Sequence, residues 1–374
     1  MKAHQIILIA ILMLLAGQLI YPVPLYSQQS ENEQQKGTSN SGFVFLPVLS
    51  YMPETRLTGG LVMNYYFRGP NAEANAKPSN LMPAFIYTQN RQSSIELPVE
   101  LYWQDELYYA SGYIGYAKFP DKFYGIGNDT RKAEEESYTP RIFQIRSNVQ
   151  RKITVNTYVG IQYNLKYHKM LSTEEDGLLA GNDIIGSGAG TASGVGVSLT
   201  RDTRNSVFYP TNGTLIKLLL QQFDGLLGSD YDFVKVSADV RGYFEPFPSH
   251  VVAIHGYANF LNGMPPFHLL SLLGQVGERN LMRGYYQGRF RDNNILVLQT
   301  EYRMPVWWRF GLAAFGGLGD VSRNMSEFSL NGLKYTYGLG LRFQLIPKEN
   351  INVRLDFGFG KESSGIYLAF GEAF

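Results

Sequence analysis

Along residues 333–345 apolar and polar side chains alternate without a break. Leu333, Tyr335, Tyr337, Leu339, Leu341, Phe343 and Leu345 fall on one face, and Lys334, Thr336, Gly338, Gly340, Arg342 and Gln344 on the other. A two-residue period is that of a β-strand. Segment 351–359 repeats it, with Asn352, Arg354, Asp356 and Gly358 sharing the polar face. So does 154–168, where Asn156, Gln162, Asn164, Lys166 and His168 are polar. Gln144, Arg146, Asn148 and Gln150 share a face in 142–150, as do Lys235, Ser237, Asp239 and Arg241 in 233–243. Strands are predicted near 43–51, 56–68, 80–90, 93–103, 106–117, 138–150, 153–169, 191–203, 213–223, 230–244, 250–260, 293–304, 308–318, 332–346, 349–359 and 365–374. That is an all-β chain of about sixteen strands; an even number returns both ends to one side of a barrel. Arg151-Lys152 and Pro246-Phe247-Pro248 are expected as turns on that side, and the longer polar stretches 118–137, 170–190 and 261–292 as loops on the other. Pro98 sits within a proposed strand although it cannot donate to a ladder.

Alternation does not say which face is inside. A soluble sandwich turns its apolar face inward; a transmembrane barrel turns it to lipid and fills its lumen with the polar one. Composition bears on the choice. The 374 residues carry 14% aromatics (26 Tyr, 23 Phe) and 39 Gly, with a mean hydropathy of −0.16. Past the N-terminus no apolar run reaches the 18 residues of a helical span. Many aromatics and glycines at moderate hydropathy suit a transmembrane antiparallel β-barrel. Both signs of charge on the polar faces suit a plugged, hydrogen-bonded interior better than a simple ion-selective pore. A net charge of +1 gives no electrostatic case for a nucleic-acid partner. The absence of Cys removes disulfides, thiolate metal sites and Cys nucleophiles.

The N-terminus reads as an export signal. Lys2, the short apolar stretch Ile6–Ala16, Pro22 and Pro24 precede a cleavage site expected after Ser27. Residues 28–42 are polar and read as a periplasmic linker, leaving 43–374 as barrel and no room for a soluble periplasmic domain. At the other end Ile366, Leu368, Phe370 and Phe374 are expected on one lipid-facing side of the last strand, with Phe370 and Phe374 as an assembly signal.

The stretch from Gly274 to Asp292, GQVGERNLMRGYYQGRFRD, fits neither strand nor helix. Loops this long inside a compact domain are uncommon and usually functional. At its centre stands Arg283-Gly284-Tyr285: a glycine for a backbone turn closed to other residues, beside a fixed charge with a five-donor fork. One reading folds the loop into the lumen with Arg283 on an interior carboxylate; the other leaves it an ordinary exposed loop.

Three stretches stand out in order and spacing: RGY at 283–285, preceded by Gly274 and Gly277; Leu199-Thr-Arg-Asp-Thr-Arg204 running to Tyr209-Pro-Thr-Asn-Gly213; and Glu301-Tyr-Arg-Met-Pro305. Together they resemble the BamA/TamA superfamily of outer-membrane proteins, the bacterial surface-antigen family that includes two-partner-secretion transporters. FYGIGND at 123–129 is a weaker likeness. The resemblance implies a loop held in the lumen by Arg283 on an inward Glu301. It also implies a periplasmic turn built on Asp202, Arg204, Pro210 and Gly213. Where the family has F-x-D-x-G, this chain has Phe315-Gly-Gly-Leu-Gly319, with Gly317 at the Asp position. The counter-charge is then expected to be mainly Glu301, helped by Asp320. The periplasmic POTRA domains of the family have no counterpart in this reading.

Sites for chemistry are sparse. The five histidines (His4, His168, His250, His255 and His268) have no metal-ligand spacing. His168 with Asp183 is the one pair suggesting a hydrolase, and GSGAG at 186–190 lacks a nucleophile-elbow form. No catalytic residue, cofactor or metal is assigned, and the chain is read as not an enzyme. Three functions are weighed: a barrel that inserts or translocates protein or lipid at the bacterial outer membrane, a passive pore, and an outer-membrane enzyme. The first implies outer-membrane lipid, an unfolded outer-membrane or secreted protein (or lipid) as client, and the barrel assembly machinery for the chain's own insertion.

Overall fold

The computed structural model describes residues 41–69, 78–104, 106–181, 183–274, 280–347 and 350–374. The export signal, nearly all of the 28–42 linker and Gly277 lie outside them. Among the described residues twenty strands follow one another: β1 (Ser41–Met52), β2 (Arg56–Phe67), β3 (Ser79–Leu81), β4 (Ala84–Thr88), β5 (Ser93–Trp103), β6 (Tyr108–Lys118), β7 (Asp121–Phe123), β8 (Glu136–Thr154), β9 (Thr157–Ser172) and β10 (Ala189–Asp202). Then come β11 (Gly213–Phe223), β12 (Phe233–Phe247), β13 (His250–Gly263), β14 (Ser271–Leu273), β15 (Phe290–Asp292), β16 (Asn294–Trp307), β17 (Phe310–Ser322), β18 (Lys334–Ile346), β19 (Ile351–Gly360) and β20 (Ser363–Phe370). Each wall strand pairs antiparallel with its sequence neighbours, and β1 meets β20, closing a 16-strand barrel. β3 and β4 are two pieces of one stave. β7 continues beyond the wall on β8, and β14 pairs with β15 as a separate two-stranded ribbon. Among the described residues no helix is long and apolar enough to cross a membrane.

Burial resolves the question the alternation left open. On β18 Tyr335, Tyr337, Leu339 and Leu341 are exposed, Leu339 by 64%, whereas Thr336 and Arg342 are buried. On β19 Asn352, Arg354 and Asp356 are buried while Phe357 and Phe359 are exposed. The polar face is therefore the inside, as lipid outside requires. Pro98 is accommodated because the Met82-Pro83 interruption between β3 and β4 falls beside it, and Met82 N–H donates to its carbonyl at 2.9 Å.

Three boundaries differ from the sequence reading. Arg151-Lys152 belongs to β8, so the turn moves to 155–156; Pro246 and Phe247 belong to β12, with a register shift between Phe244 and Phe247. The last strand ends at Phe370. Gly371, at φ +67°, turns residues 371–374 inward. Phe374 is consequently 5% exposed and packs beside His255, ring centroids 5.1 Å apart, instead of facing lipid. Alternation assumes the strand continues, and a left-handed glycine is what stops it.

Candidate functional site

The ribbon β14–β15 carries the RGY stretch across the inside of the wall. Leu273, Leu281, Met282, Tyr285 and Phe290 from this insertion pack against Tyr257, Ile295, Val297 and Val321 of the wall in one buried cluster. Gly284 has φ +119°, and a Cβ there would lie 2.8 Å from the Phe359 backbone. The wall makes reciprocal room: a Cβ on Gly358 would lie 2.8 Å from the Arg283 backbone, and one on Gly360 would lie 2.7 Å from the Tyr285 ring. Bare backbone on both sides lets the loop lie flat on β19. Met282 takes a left-handed φ of +55°, and its N–H donates to Gln299 Oε1 at 3.1 Å.

Arg283 points its fork between two carboxylates. Nη2 donates to Glu301 Oε2 and Nη1 to Asp356 Oδ2, each at 2.5 Å, and the guanidinium lies 3.6 Å from the Phe315 ring centroid. Both carboxylates are shared. Glu301 Oε1 accepts from Arg303 Nε at 2.8 Å and from Arg342 Nη2 at 3.2 Å. Asp356 accepts from Arg342 Nη1 at 2.5 Å and Arg354 Nη1 at 2.6 Å. Arg342 Nε also donates to Glu372 at 2.7 Å, while Arg303 Nη2 donates to the Phe374 carbonyl and Asn280 Nδ2 to the Ala373 carbonyl, both at 2.8 Å. Four guanidinium groups thus meet three carboxylates among the described residues, all nearly inaccessible to solvent. Such a cluster is tolerable in the interior because almost every charge has a hydrogen-bonded counterpart.

Asp320 does not join it. Alternation puts Phe315, Gly317 and Gly319 on the inner face, so Asp320 shares the outward parity of Leu318 and pairs opposite the outward Leu296. Its carboxylate takes backbone N–H groups of Ser329 and Val321 instead. The second carboxylate on Arg283 is Asp356, which sequence reasoning placed on an inward polar face without giving it a role. Arg303, Arg342, Arg354 and Glu372 were likewise missed, although Arg342 and Arg354 stood on the same alternating faces.

On the side of the chain ends, Arg204 holds Asp202 through two hydrogen bonds of 2.9 and 2.7 Å. Gly213 is at φ +99° with no space for a Cβ, 2.2 Å from the Thr203 carbonyl. Pro210 is buried, and Tyr209 beside it lies 5.8 Å from the Arg303 guanidinium, so this turn lies against the charge cluster. At the opposite mouth FYGIGND crosses onto the loop ribbon. Gly127 N–H donates to the Arg291 carbonyl at 2.8 Å, and the Arg291 guanidinium stacks 4.9 Å from Phe123. His168 stacks on His268 with ring centroids 4.1 Å apart, whereas Asp183 is exposed.

A closed β-barrel with a lipid-facing apolar exterior and a loop ion-paired to its inner wall is the architecture of an outer-membrane barrel. The Omp85 superfamily domain matches residues 69–374, and the chain belongs to that superfamily. Its sequence is 31% identical over 202 residues to the outer membrane protein assembly factor BamA of Nitratidesulfovibrio vulgaris, covering 50% of this chain and 25% of that protein. It is 30% identical over 151 residues to the chloroplastic protein TOC75 of Oryza sativa subsp. japonica, covering 38% and 17%. The chain therefore aligns with a quarter or less of these relatives' length. In fold it resembles BamA from Haemophilus ducreyi lacking POTRA domains 1–3, with a TM-score of 0.62 at 12% identity over 89% of this chain and 70% of that one. It also resembles CdiB from Acinetobacter baumannii, with a TM-score of 0.58 at 14% identity over 89% and 60%.

Proposed function

We propose that this barrel inserts or translocates protein at the bacterial outer membrane through its β1–β20 seam, with the RGY loop held in the lumen. The observation that carries this is the pairing at the seam. β1 runs against β2 in register from Ser41–Phe67 to Met52–Arg56, and β19 against β20 from Val353–Phe370 to Gly360–Ser363. Between β1 and β20 the described residues give one register pair, Tyr51–Leu368. The stagger explains it. Tyr51 is near the end of β1, so the rest of β1 would need partners beyond Leu368, and there Gly371 turns the chain inward. An unpaired strand edge is a template for another strand, and Phe43 and Phe45 beside it are exposed. The relatives named as assembly factor BamA and as CdiB support the same class of activity, with an unfolded protein as client and the assembly machinery acting on this chain's own insertion. Lipid cargo is the second variant of this reading. A passive pore is disfavoured because the lumen is crossed by the loop and its charge cluster.

The test is a seam lock. In liposomes containing the purified barrel, folding of an added outer-membrane protein should accelerate. A Tyr51→Cys/Leu368→Cys disulfide should abolish the acceleration, and reductant should restore it. Equal acceleration by the locked and reduced forms would sink the proposal. A large, steady conductance in planar bilayers would favour the pore.

A further inference from the structure

The same loop that sits on the charge cluster is also bonded to both sides of the seam. Toward β20, Gly284 N–H donates to Tyr367 Oη at 2.9 Å and Ser363 Oγ donates to the Gly284 carbonyl at 2.7 Å. In the β19–β20 turn, Lys361 N–H donates to Tyr285 Oη at 3.0 Å. Toward β1, Gln287 N–H donates to Glu54 Oε1 at 2.9 Å, and Glu54 lies in the turn that joins β1 to β2. Glu54 is itself fixed: Asn90 Nδ2 and Gln92 Nε2 donate to its carbonyl at 2.7 and 3.2 Å. Tyr286 Oη donates to Asp121 Oδ1 at 3.1 Å, adding β7, which pairs with β8. Residues 284–287 thus carry hydrogen bonds both to β20 and to the β1–β2 turn, where the strand ladder itself supplies one register pair.

We propose that residues 284–287 staple the seam shut, and that Glu54, Ser363 and Tyr367 are the positioning residues that make loop release and seam opening one event. This rests on the seam-based reading above, although the staple itself is a statement about structure that can be measured without a client. Arg283 anchors the loop to the wall; the staple residues determine what that anchoring does to the seam.

The chain has no native cysteine, so engineered pairs report without background. Seam closure is read from the oxidation rate of Tyr51→Cys/Leu368→Cys, and loop release from maleimide labelling of Leu281→Cys, a side chain 1% exposed. Adding Glu54→Ala and Tyr367→Phe removes the acceptors of the Gln287 and Gly284 N–H groups. The disulfide yield should fall about tenfold while labelling at 281 rises by a similar factor. If labelling at 281 rises and seam oxidation is unchanged, loop and seam are independent and the staple is overturned. If seam oxidation falls as stated but client folding in liposomes is unaffected, the staple stands and the insertion reading fails. Coupling between two sites is reciprocal, which gives a second route should the double variant not assemble. In an otherwise native staple, closing the 51–368 disulfide should lower labelling at 281 in an Arg283→Ala background; no change there also overturns the staple.

Discussion

Removing Arg283 and removing Glu301 should have different consequences, and the difference can be worked from the hydrogen bonds. Arg283→Ala deletes two charge-assisted bonds and the stack on Phe315. Bonds to charged groups are worth about 1.5–3 kcal/mol each and a desolvated cation–π contact about 2 kcal/mol. Allowing for overlap and the entropy the freed loop regains, the docked state should lose about 3–5 kcal/mol, or roughly 10²–10⁴ in the docked-to-free ratio. The wall should survive. Glu301 keeps Arg303 and Arg342, and Asp356 keeps Arg342 and Arg354. Glu301→Gln does the reverse. Asp356 still holds one arm of the loop arginine, so release should be weaker, about 1.5–3 kcal/mol. The wall, however, then contains four guanidinium groups and two carboxylates, and it should lose about 3–5 kcal/mol. The two changes are not equivalent, because Asp356 shares the counter-charge role that the sequence assigns mainly to Glu301.

Loop release is measured by labelling Leu281→Cys, and wall stability by the temperature at which the unheated barrel loses its fast-running band on a gel. The double variant Arg283→Ala/Glu301→Gln is decisive. It removes one of the four guanidinium groups that Glu301→Gln leaves against two carboxylates, so its wall should be about 1–3 kcal/mol more stable than that of Glu301→Gln alone. A double variant no more stable than that single variant, or equal labelling of wild type and Arg283→Ala, would refute the reasoning.

Gly284→Ala or Gly358→Ala should release the loop although no charge changes, because each Cβ falls 2.8 Å from facing backbone; labelling at 281 like wild type would show that the loop yields. Phe374→Ala should destabilise the wall by about 3–5 kcal/mol from inside, by emptying its site beside His255, whereas a polar residue at the half-buried Phe370 should impair membrane assembly; thermal gel shifts and outer-membrane recovery separate the two. Burial first, then the neighbouring Asp121, pushes the Glu54 carboxyl up to about 7 against a backbone hydrogen bond from Gln287 that lowers it. Asp121 is itself raised by burial, with Arg291 opposing. Because the folded value lies above the unfolded one, Glu54 stabilises the fold fully below about pH 4.5, and this is lost as pH rises to about 7, on the order of 3 kcal/mol in all. The temperature at which the unheated barrel loses its fast-running band should therefore fall between pH 5 and pH 8, and Glu54→Gln should flatten the profile. N-terminal sequencing of the exported protein should begin near Gln28.

Strand positions follow from a single physical regularity, whereas the choice of inward face needs composition as well. Period-two alternation places Arg342, Arg354 and Asp356 on polar faces as firmly as it places Leu339 on an apolar one. The register between strands did not follow from it. Asp356 reaches Arg283 because β19 stands where the inserted loop lies flat, and that depends on barrel closure, which no local pattern encodes. Asp320 shows the opposite failure: it was chosen for its charge near the family motif, against the parity that Phe315 and Gly317 already implied. The inward turn of 371–374 was hidden because a glycine permits a left-handed backbone without requiring it.

Gly317 ties these threads together. The family pattern has an aspartate there, and its absence suggested a weakened anchor. In the structure a Cβ at Gly317 would lie 3.0 Å from both Met282 Sδ and Gln299 Cβ, so the residue beside the loop arginine fills the place an aspartate would need. Met282 in turn is held by Gln299, and its burial in the loop cluster contributes on the order of 1.5–3 kcal/mol. The carboxylate is supplied two strands away, by Asp356 of β19, the strand that neighbours β20 and so lies one strand from the seam. Moving the second counter-charge from β17 to β19 brings the anchor of the loop toward the strands whose separation the proposed activity requires. On that arrangement Gly317→Asp should not strengthen the anchor. It should displace Met282 and raise labelling at 281, and tighter protection there would show that the charge, and not the space, governs this position.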